Sequence, residues 1–238
     1  MLIPIPPFRG WGFMNKILIF AAFILLVVLA SFVRGDKKKK VVFFGDSITQ
    51  AGVGPKGYIT VMQNMLQQQG LNNYELLGAG IGGNKVYDLY LRMDSDVIAK
   101  SPDIVVIFVG VNDVWHKRTY GTGTDADKFE KFYRAIIHKL QGNNAKVVVC
   151  TPASIGEKTD FSNEQDGDLN KYCNIIRHIA SDENVPLVDL RKFLLDYDMA
   201  NNHQNVDRGI LTVDGVHLND KGNQLVAEQM WNVIKDVK

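Results

Sequence analysis

Residues 104–113 read IVVIFVGVND, a run of six apolar residues followed by a glycine-containing polar turn. A short run that is apolar at every position is typical of a strand buried on both faces of a parallel sheet. Four further short runs are strand candidates, of which Val41–Phe44 is also apolar at every position, and with the first they predict five strands: Val41–Phe44, Tyr74–Leu77, Ile104–Val109, Lys146–Cys150 and Val185–Val188.

Helical patterns separate these runs. Apolar residues recur at helical spacing in five segments, Tyr58–Leu66, Asn84–Ala99, Phe129–Leu140, Leu169–Ile179 and Leu225–Ile234. Strands that alternate with helices predict a three-layer α/β/α sandwich around a five-stranded parallel sheet, with right-handed crossovers. We expect the strand order 2-1-3-4-5, and a site beyond the carboxyl ends of the strands.

The composition is that of a folded globular protein with no charge bias. The chain has 238 residues, of which 46% are hydrophobic and 22% charged, and its net charge is +1. A charge so near zero gives no field that would attract nucleic acid, so no nucleic-acid partner is expected. Cys150 and Cys173 lie in apolar patterns and are interpreted as small buried hydrophobes. Nothing in the sequence indicates the oligomeric state.

The N-terminal region has a different character. Residues 17–33 carry no charge and are nearly all apolar, and Lys16 precedes them. This is the layout of a signal peptide, and it favours export to the periplasm or the cell exterior. An uncleaved segment would instead anchor the protein in a membrane, although the positive charges at 37–40 disfavour export in that case. We assign residues 1–36 to a signal peptide or anchor and 37–238 to one globular domain.

Residues suited to acyl transfer follow the predicted strands. Ser47 comes after the first strand, the glycine-rich segment 78–83 comes after the second, and Asn112 comes after the third. Asp214 and His217 precede the last helix. A serine between a strand and a helix can direct its hydroxyl and its own N–H into the cleft. An aspartate near an imidazole can accept the Nδ1 proton, which leaves Nε2 free to take one from serine.

Four short motifs resemble the four sequence blocks of the SGNH hydrolases, also called the GDSL esterase/lipase superfamily. The resemblance spans about residues 40–237, and its motifs are GDSIT (45–49), GIGGN (80–84), GVND (110–113) and DGVH (214–217). It implies a flavodoxin-like SGNH hydrolase fold and a serine esterase. One departure is Asn84, where the second block of the family often has aspartate.

The resemblance also implies the role of each residue. Ser47 would be the nucleophile, His217 its base and Asp214 the partner of that base. The backbone N–H groups of Ser47 and Gly83 and the side-chain amide of Asn112 would form the oxyanion hole. Ester hydrolysis would then proceed through an acyl-enzyme, without a cofactor.

The identity of the ester stays open at this stage. Acetyl or short acyl esters on carbohydrate suit the chemistry, and so do lysophospholipids and thioesters. Trp115 and His116 follow the third block and are candidate substrate-binding residues, and packing at the sheet edge is an equally good interpretation of Trp115. The other histidines lack metal-ligand spacing, so no metal is expected.

Three other interpretations fit parts of the sequence. Residues 78–83 match the G-x-G-x-x-G pattern of dinucleotide-binding enzymes, but Asp103 precedes the next strand instead of ending it. A phosphatase with Asp46 as nucleophile would need a second acid where Ile48 stands. A non-catalytic module that binds glycans would use the same fold, but no residue needed for catalysis is missing.

Overall fold

A computed structural model describes residues 38–237. The predicted signal peptide or anchor at 1–36 lies outside the described residues. Within the described part, none of the helices combines the length and the apolar character needed to cross a membrane.

Strands and helices alternate along the described chain. The strands are β1 (Lys39–Gly45), β2 (Tyr74–Gly80), β3 (Ile104–Phe108), β4 (Lys146–Cys150) and β5 (Leu187–Val188). The α-helices are α1 (Ser47–Gly52), α2 (Tyr58–Gln68), α3 (Val86–Asp96), α4 (Val111–Thr119), α5 (Ala126–Gly142), α6 (Asp166–Asp182), α7 (Leu190–Asn201) and α8 (Asp220–Ile234). A short 3-10 turn, Ile98–Lys100, follows α3.

The five strands form one parallel sheet in the order β2-β1-β3-β4-β5. This confirms the predicted fold class and strand order. The register places Gly45 beside Gly80 on one side and beside Phe108 on the other. The carboxyl ends of β2, β1 and β3 therefore lie next to one another, and so do the loops that follow them.

Both faces of the sheet are buried. Val41 and Phe43 pack on the side of α2 and α8, whereas Val42 and Phe44 pack on the side of α3, α5 and α6. This alternation explains why the strands are apolar at consecutive positions, since each face needs its own apolar side chains. A fully buried Val or Phe side chain contributes about 1.5–3 kcal/mol relative to an exposed one.

Three helices were not predicted from the sequence, and all three begin where a strand ends. Helix α1 follows β1, α4 follows β3 and α7 follows β5. Strand β5 is also shorter than predicted, with two residues. The additional helices begin at the carboxyl edge of the sheet, where α1 carries Ser47 and α4 carries Asn112.

Candidate active site

Ser47 is the first residue of helix α1, directly after the turn that ends β1. Asp46 caps this helix, because its Oδ1 accepts a hydrogen bond of 3.0 Å from the Ile48 N–H. The Asp46 side chain is buried, and burial raises its pKa to about 7. Ser47 thus lies at a fixed helix N-terminus, where the partial positive charge of the helix favours a developing oxyanion.

The structure brings Ser47, His217 and Asp214 into one hydrogen-bonded chain. Ser47 Oγ lies 2.9 Å from His217 Nε2, and His217 Nδ1 lies 2.7 Å from Asp214 Oδ2. Asp214 Oδ1 also accepts the backbone N–H groups of His217 and Val216. With its proton on Nδ1, the imidazole donates to Asp214 and presents Nε2 to the serine hydroxyl. This arrangement suits proton transfer from serine.

Asp214 is held in its ionised form. Burial alone would raise the pKa of this carboxyl, but the hydrogen bonds from the His217 side chain and from the backbone N–H groups of His217 and Val216 outweigh it. The pKa of Asp214 therefore lies below its usual value. An ionised Asp214 stabilises the imidazolium that forms when His217 takes a proton.

The glycine loop after β2 lies against the serine. A Cβ atom at Gly82 would lie 3.9 Å from Ser47 Cβ, and the Gly82 N–H donates to Gln50 Oε1 at 2.8 Å. Since the Gly82 N–H is already bonded, Gly83 is the better candidate donor to an oxyanion. Gly83 has a φ of +76°, a conformation that glycine adopts without strain.

Asn112 is almost fully buried in the first turn of α4. Its Nδ2 donates to the backbone oxygen of Asn84 at 3.1 Å, which links it to the end of the glycine loop. Gly110, and not Asn112, occupies the N-cap of α4. The side chain is therefore not used as a helix cap, and its amide carries a second N–H besides the one bonded to Asn84.

The neighbouring Asp113 is also buried and organises the same loop. Its carboxylate oxygens accept the Val86 N–H at 3.2 and 3.3 Å. Burial raises the pKa of Asp113 to about 7. These contacts support the interpretation that Asp113 fixes the start of α3 and does not react.

Four rings form a continuous row from the imidazole of His217 to the solvent. The centroid of Trp115 lies 6.4 Å from that of His217 and 5.7 Å from that of His116, and His116 lies 4.9 Å from Tyr120. Trp115 also packs against the core, whereas Tyr120 is 66% exposed. Burial, followed by the charge of Lys85, lowers the pKa of His116. Tyr120 was not singled out from the sequence, although it lies one helical turn beyond His116.

A buried glutamate holds the loop that precedes His217. Glu157 Oε1 accepts the N–H groups of Leu211 and Thr212 at 2.8 and 2.5 Å and the Thr212 hydroxyl at 2.7 Å, while Oε2 accepts the Ile210 N–H at 2.8 Å. Thr212 Oγ1 in turn accepts the Gly215 N–H at 2.9 Å. This single carboxylate therefore fixes the backbone that carries Asp214 and His217.

We expect Glu157→Gln to lower both stability and turnover. An amide has one acceptor atom, so its NH₂ group would face at least one buried N–H, at a cost of about 1–3 kcal/mol. The loop would then hold His217 less well, and kcat should fall with KM little changed. Urea unfolding and steady-state kinetics measure both effects.

Glu164→Gln is the matched control, because Glu164 is an exposed residue of the same loop that pairs only with Arg118. It should change little, since exposed ion pairs contribute about 0–1 kcal/mol. Equal effects of the two substitutions would show that Glu157 does not hold the site.

Within residues 38–237, no cluster of three or more His, Cys, Asp or Glu side chains is arranged to hold a metal ion. The two cysteines of the chain are buried and unpaired with each other.

Comparison with known proteins assigns the family. Residues 43–225 match the GDSL-like Lipase/Acylhydrolase family. A crystal structure of an acetyl xylan esterase, AlAXEase, has 67% sequence identity and a TM-score of 0.80, covering 81% of this chain and 98% of that one. An acetylxylan esterase of Geobacillus stearothermophilus is 30% identical over 173 residues, which are 63% of this chain and 75% of that protein. The uncharacterized lipoprotein YqeF of Bacillus subtilis (strain 168) is 27% identical over 227 residues, 87% of this chain and 93% of that protein. The chain belongs to the GDSL-like lipase/acylhydrolase family and is a carboxylic ester hydrolase.

Proposed function

We propose that this esterase removes acetyl groups from xylan or its oligosaccharides, with Ser47 as nucleophile. The hydrogen-bonded chain from Ser47 Oγ through His217 to Asp214, with distances of 2.9 and 2.7 Å, carries the catalytic part of the proposal. The substrate class is supported by the similarity to two acetylxylan esterases, one of them 67% identical over nearly its whole length.

The proposed reaction has two halves. In the first, Ser47 Oγ attacks the ester carbonyl carbon while His217 Nε2 takes the hydroxyl proton. The N–H groups of Ser47 and Gly83 and the amide of Asn112 hold the tetrahedral oxyanion. The carbon–oxygen bond to the sugar then breaks, and His217 returns its proton to the sugar oxygen.

In the second half, water attacks the acetyl-Ser47 ester while His217 again acts as the base. The same donors hold the second oxyanion, and its collapse releases acetate and restores the serine hydroxyl. Asp214 stays ionised throughout and stabilises the imidazolium in both halves.

A substrate panel tests the proposed activity. Acetate release from acetylated xylan should be fast, and hydrolysis of p-nitrophenyl esters should slow as the acyl chain lengthens from acetate to palmitate. A preference for the long chains or for a lysophospholipid would identify a lipid acyl hydrolase instead. Folded protein that hydrolyses none of these esters would contradict the proposed activity.

We propose that Trp115, His116 and Tyr120 line the substrate site. Their rings extend from His217 outward, and the exposed Tyr120 offers an apolar face to a sugar ring. Tyr120→Ala should raise KM for acetylated xylan about threefold to tenfold, the value of a lost aromatic contact, and leave p-nitrophenyl acetate hydrolysis unchanged.

Leu91→Ala serves as the control for the Tyr120 substitution, because Leu91 is 76% exposed on α3 and outside this row of rings. It should leave both substrates unaffected. An equal effect of Tyr120→Ala on the polymer and on the small ester would argue against a role in binding the sugar chain.

We also propose that residues 1–36 direct export and that 37–238 are the catalytic domain. The apolar segment at 17–33 and the similarity to a lipoprotein over 87% of the chain support this. A chain that begins at Lys37 should remain in solution and match the full chain in kcat and KM. Recovery of that shorter chain only as inactive aggregate would contradict the assignment.

A further inference from the structure

Arg92 makes four hydrogen bonds beneath the edge of the sheet that carries the site. Its Nη2 donates to the backbone oxygens of Gly45 and Ala79 at 2.7 and 3.0 Å, and its Nε donates to Asn84 Oδ1 at 2.7 Å. Nη1 donates to Asp96 Oδ2 at 2.8 Å. The side chain is 14% exposed, so these bonds are largely shielded from water.

The Phe44 ring and the Asp96 carboxylate orient the guanidinium. Its Cζ lies 4.7 Å from the centroid of the Phe44 ring, which is fully buried under the sheet. Asp96 lies one turn further along α3, and its hydrogen bond with Arg92 holds the pKa of that carboxyl below its usual value. The ionised Asp96 and the face of the Phe44 ring thus hold the guanidinium in the plane in which it bonds the backbone oxygens of Gly45 and Ala79.

Each of the three acceptors on Gly45, Ala79 and Asn84 lies close in sequence or in space to one candidate oxyanion donor. Gly45 is the last residue of β1, two residues before Ser47, and Ala79 lies at the end of β2, just before the loop that contains Gly83. Asn84 bonds Arg92 through its side chain and Asn112 through its backbone oxygen. A single side chain therefore connects the segments that supply the Ser47 N–H, the Gly83 N–H and the Asn112 amide.

The chemistry of the side chain suits this task. The guanidinium presents several N–H donors in one rigid plane, so it can bond acceptors on different strands at the same time. A lysine ammonium at the same place carries three donors on a flexible stem and cannot span these acceptors in one plane. Without Arg92, the backbone oxygens of Gly45 and Ala79 would each lose a charged donor, and Gly45 would keep only the longer bond from the Ile81 N–H, at 3.3 Å.

We propose that Arg92 is a positioning residue that holds the oxyanion-hole donors in register without touching the substrate. This rests on the proposed roles of Ser47, Gly83 and Asn112. Displacement of catalytic groups by about 1 Å can cost about 10²-fold in rate. We therefore expect Arg92→Lys to lower kcat by at least tenfold, with KM nearly unchanged.

A double-mutant cycle with Asn112→Ala separates positioning from general stability. All rates are measured well below the melting temperature of each variant, with p-nitrophenyl acetate as substrate. If Arg92 acts through the oxyanion donors, Arg92→Lys should cost less in the Asn112→Ala background than in the native enzyme, because one of the three donors that it positions is already gone. Equal fold-losses in the two backgrounds would overturn the proposal.

Arg134→Lys is the control, since Arg134 also bonds several acceptors, Glu130, Asp182 and Glu183, but on the outer side of α5 and α6. It should leave kcat unchanged. If Arg92→Lys yields no folded protein, Asn84→Ala provides the second test, because it removes the Arg92 acceptor and keeps the backbone oxygen that Asn112 uses. A native kcat in folded Asn84→Ala would then overturn the proposal.

The outcomes also distinguish this proposal from the proposed function. An active Ser47→Ala enzyme would remove the catalytic assignment itself. An inactive Ser47→Ala and a slow Asn112→Ala, together with a fully active Arg92→Lys, would remove only the role of Arg92.

Discussion

Ser47→Ala is expected to abolish nearly all ester hydrolysis while the protein stays folded, and His217→Ala should do the same. Without the hydroxyl no acyl-enzyme forms, and without the imidazole no base lies 2.9 Å from Ser47 Oγ. Losses of this kind normally span several decades in kcat. The measurements are kcat with p-nitrophenyl acetate and the melting temperature of each variant.

The double variant should be no slower than the single ones. Because Ser47 and His217 act as a unit, removal of either already removes the pathway, and their effects do not add. If Ser47→Ala retains more than about a tenth of the native rate, Ser47 is not the nucleophile.

Asn112→Ala is expected to slow turnover more than it weakens the fold. The lost bond to Asn84 should cost about 0.5–1.5 kcal/mol of stability, as for an ordinary hydrogen bond. An oxyanion donor is worth about 2.7–4 kcal/mol in the transition state, which corresponds to about 10²–10³ in kcat. KM should barely move, because the amide binds the tetrahedral intermediate more strongly than the ground-state carbonyl.

Asn112→Asp tests the same oxyanion-hole role by replacing the amide with a negatively charged carboxylate. A carboxylate at this buried position would face the developing oxyanion, so this variant should be slower than Asn112→Ala. Kinetics and melting curves for both variants separate the effects on catalysis and on stability. A native kcat in Asn112→Ala would leave Ser47 with backbone donors alone and would contradict the assigned role.

The strands and the long helices could be predicted because they pack in the core through regular patterns of apolar side chains. Ile104–Phe108 and Lys146–Cys150 are buried strands whose apolar runs leave few alternatives. Helix α5 has a regular apolar stripe, and residues such as Phe129 and Tyr133 are fully buried. Because five predicted strands alternate with helices, a parallel sheet follows from the general rules for strand–helix–strand crossovers.

Helices α4 and α7 could not be predicted because polar residues occupy part of their buried faces. In α4, Asn112 and Asp113 are buried beside two valines, so the apolar period is broken. In α7, Arg191 and Asp198 are buried and interrupt the stripe in the same way. Helix α1 has six residues, too few to show a period.

Some residues of the candidate site could also be predicted from the sequence, and others could not. Ser47 follows a strand, and Asp214 and His217 lie in one short motif before the last helix, so the types and the order of these residues could be recognised in the sequence. Glu157 and Arg92 were not singled out, because each is one charged residue among many and matters only through the backbone groups that it reaches in three dimensions. Tyr120 lies beyond the recognisable motif, and its link to His116 needed the helix to be known.

The most direct test of the proposed nucleophile is covalent labelling with an alkyl fluorophosphonate, followed by mass spectrometry of the intact protein and its peptides. Attack of Ser47 Oγ on phosphorus would expel fluoride and leave a stable adduct. We expect one adduct per chain, located on the peptide that contains Ser47, loss of esterase activity in proportion to labelling, and no adduct on Ser47→Ala. An adduct on another residue that accompanies the loss of activity, or full activity in the labelled enzyme, would contradict the assignment of Ser47 as nucleophile.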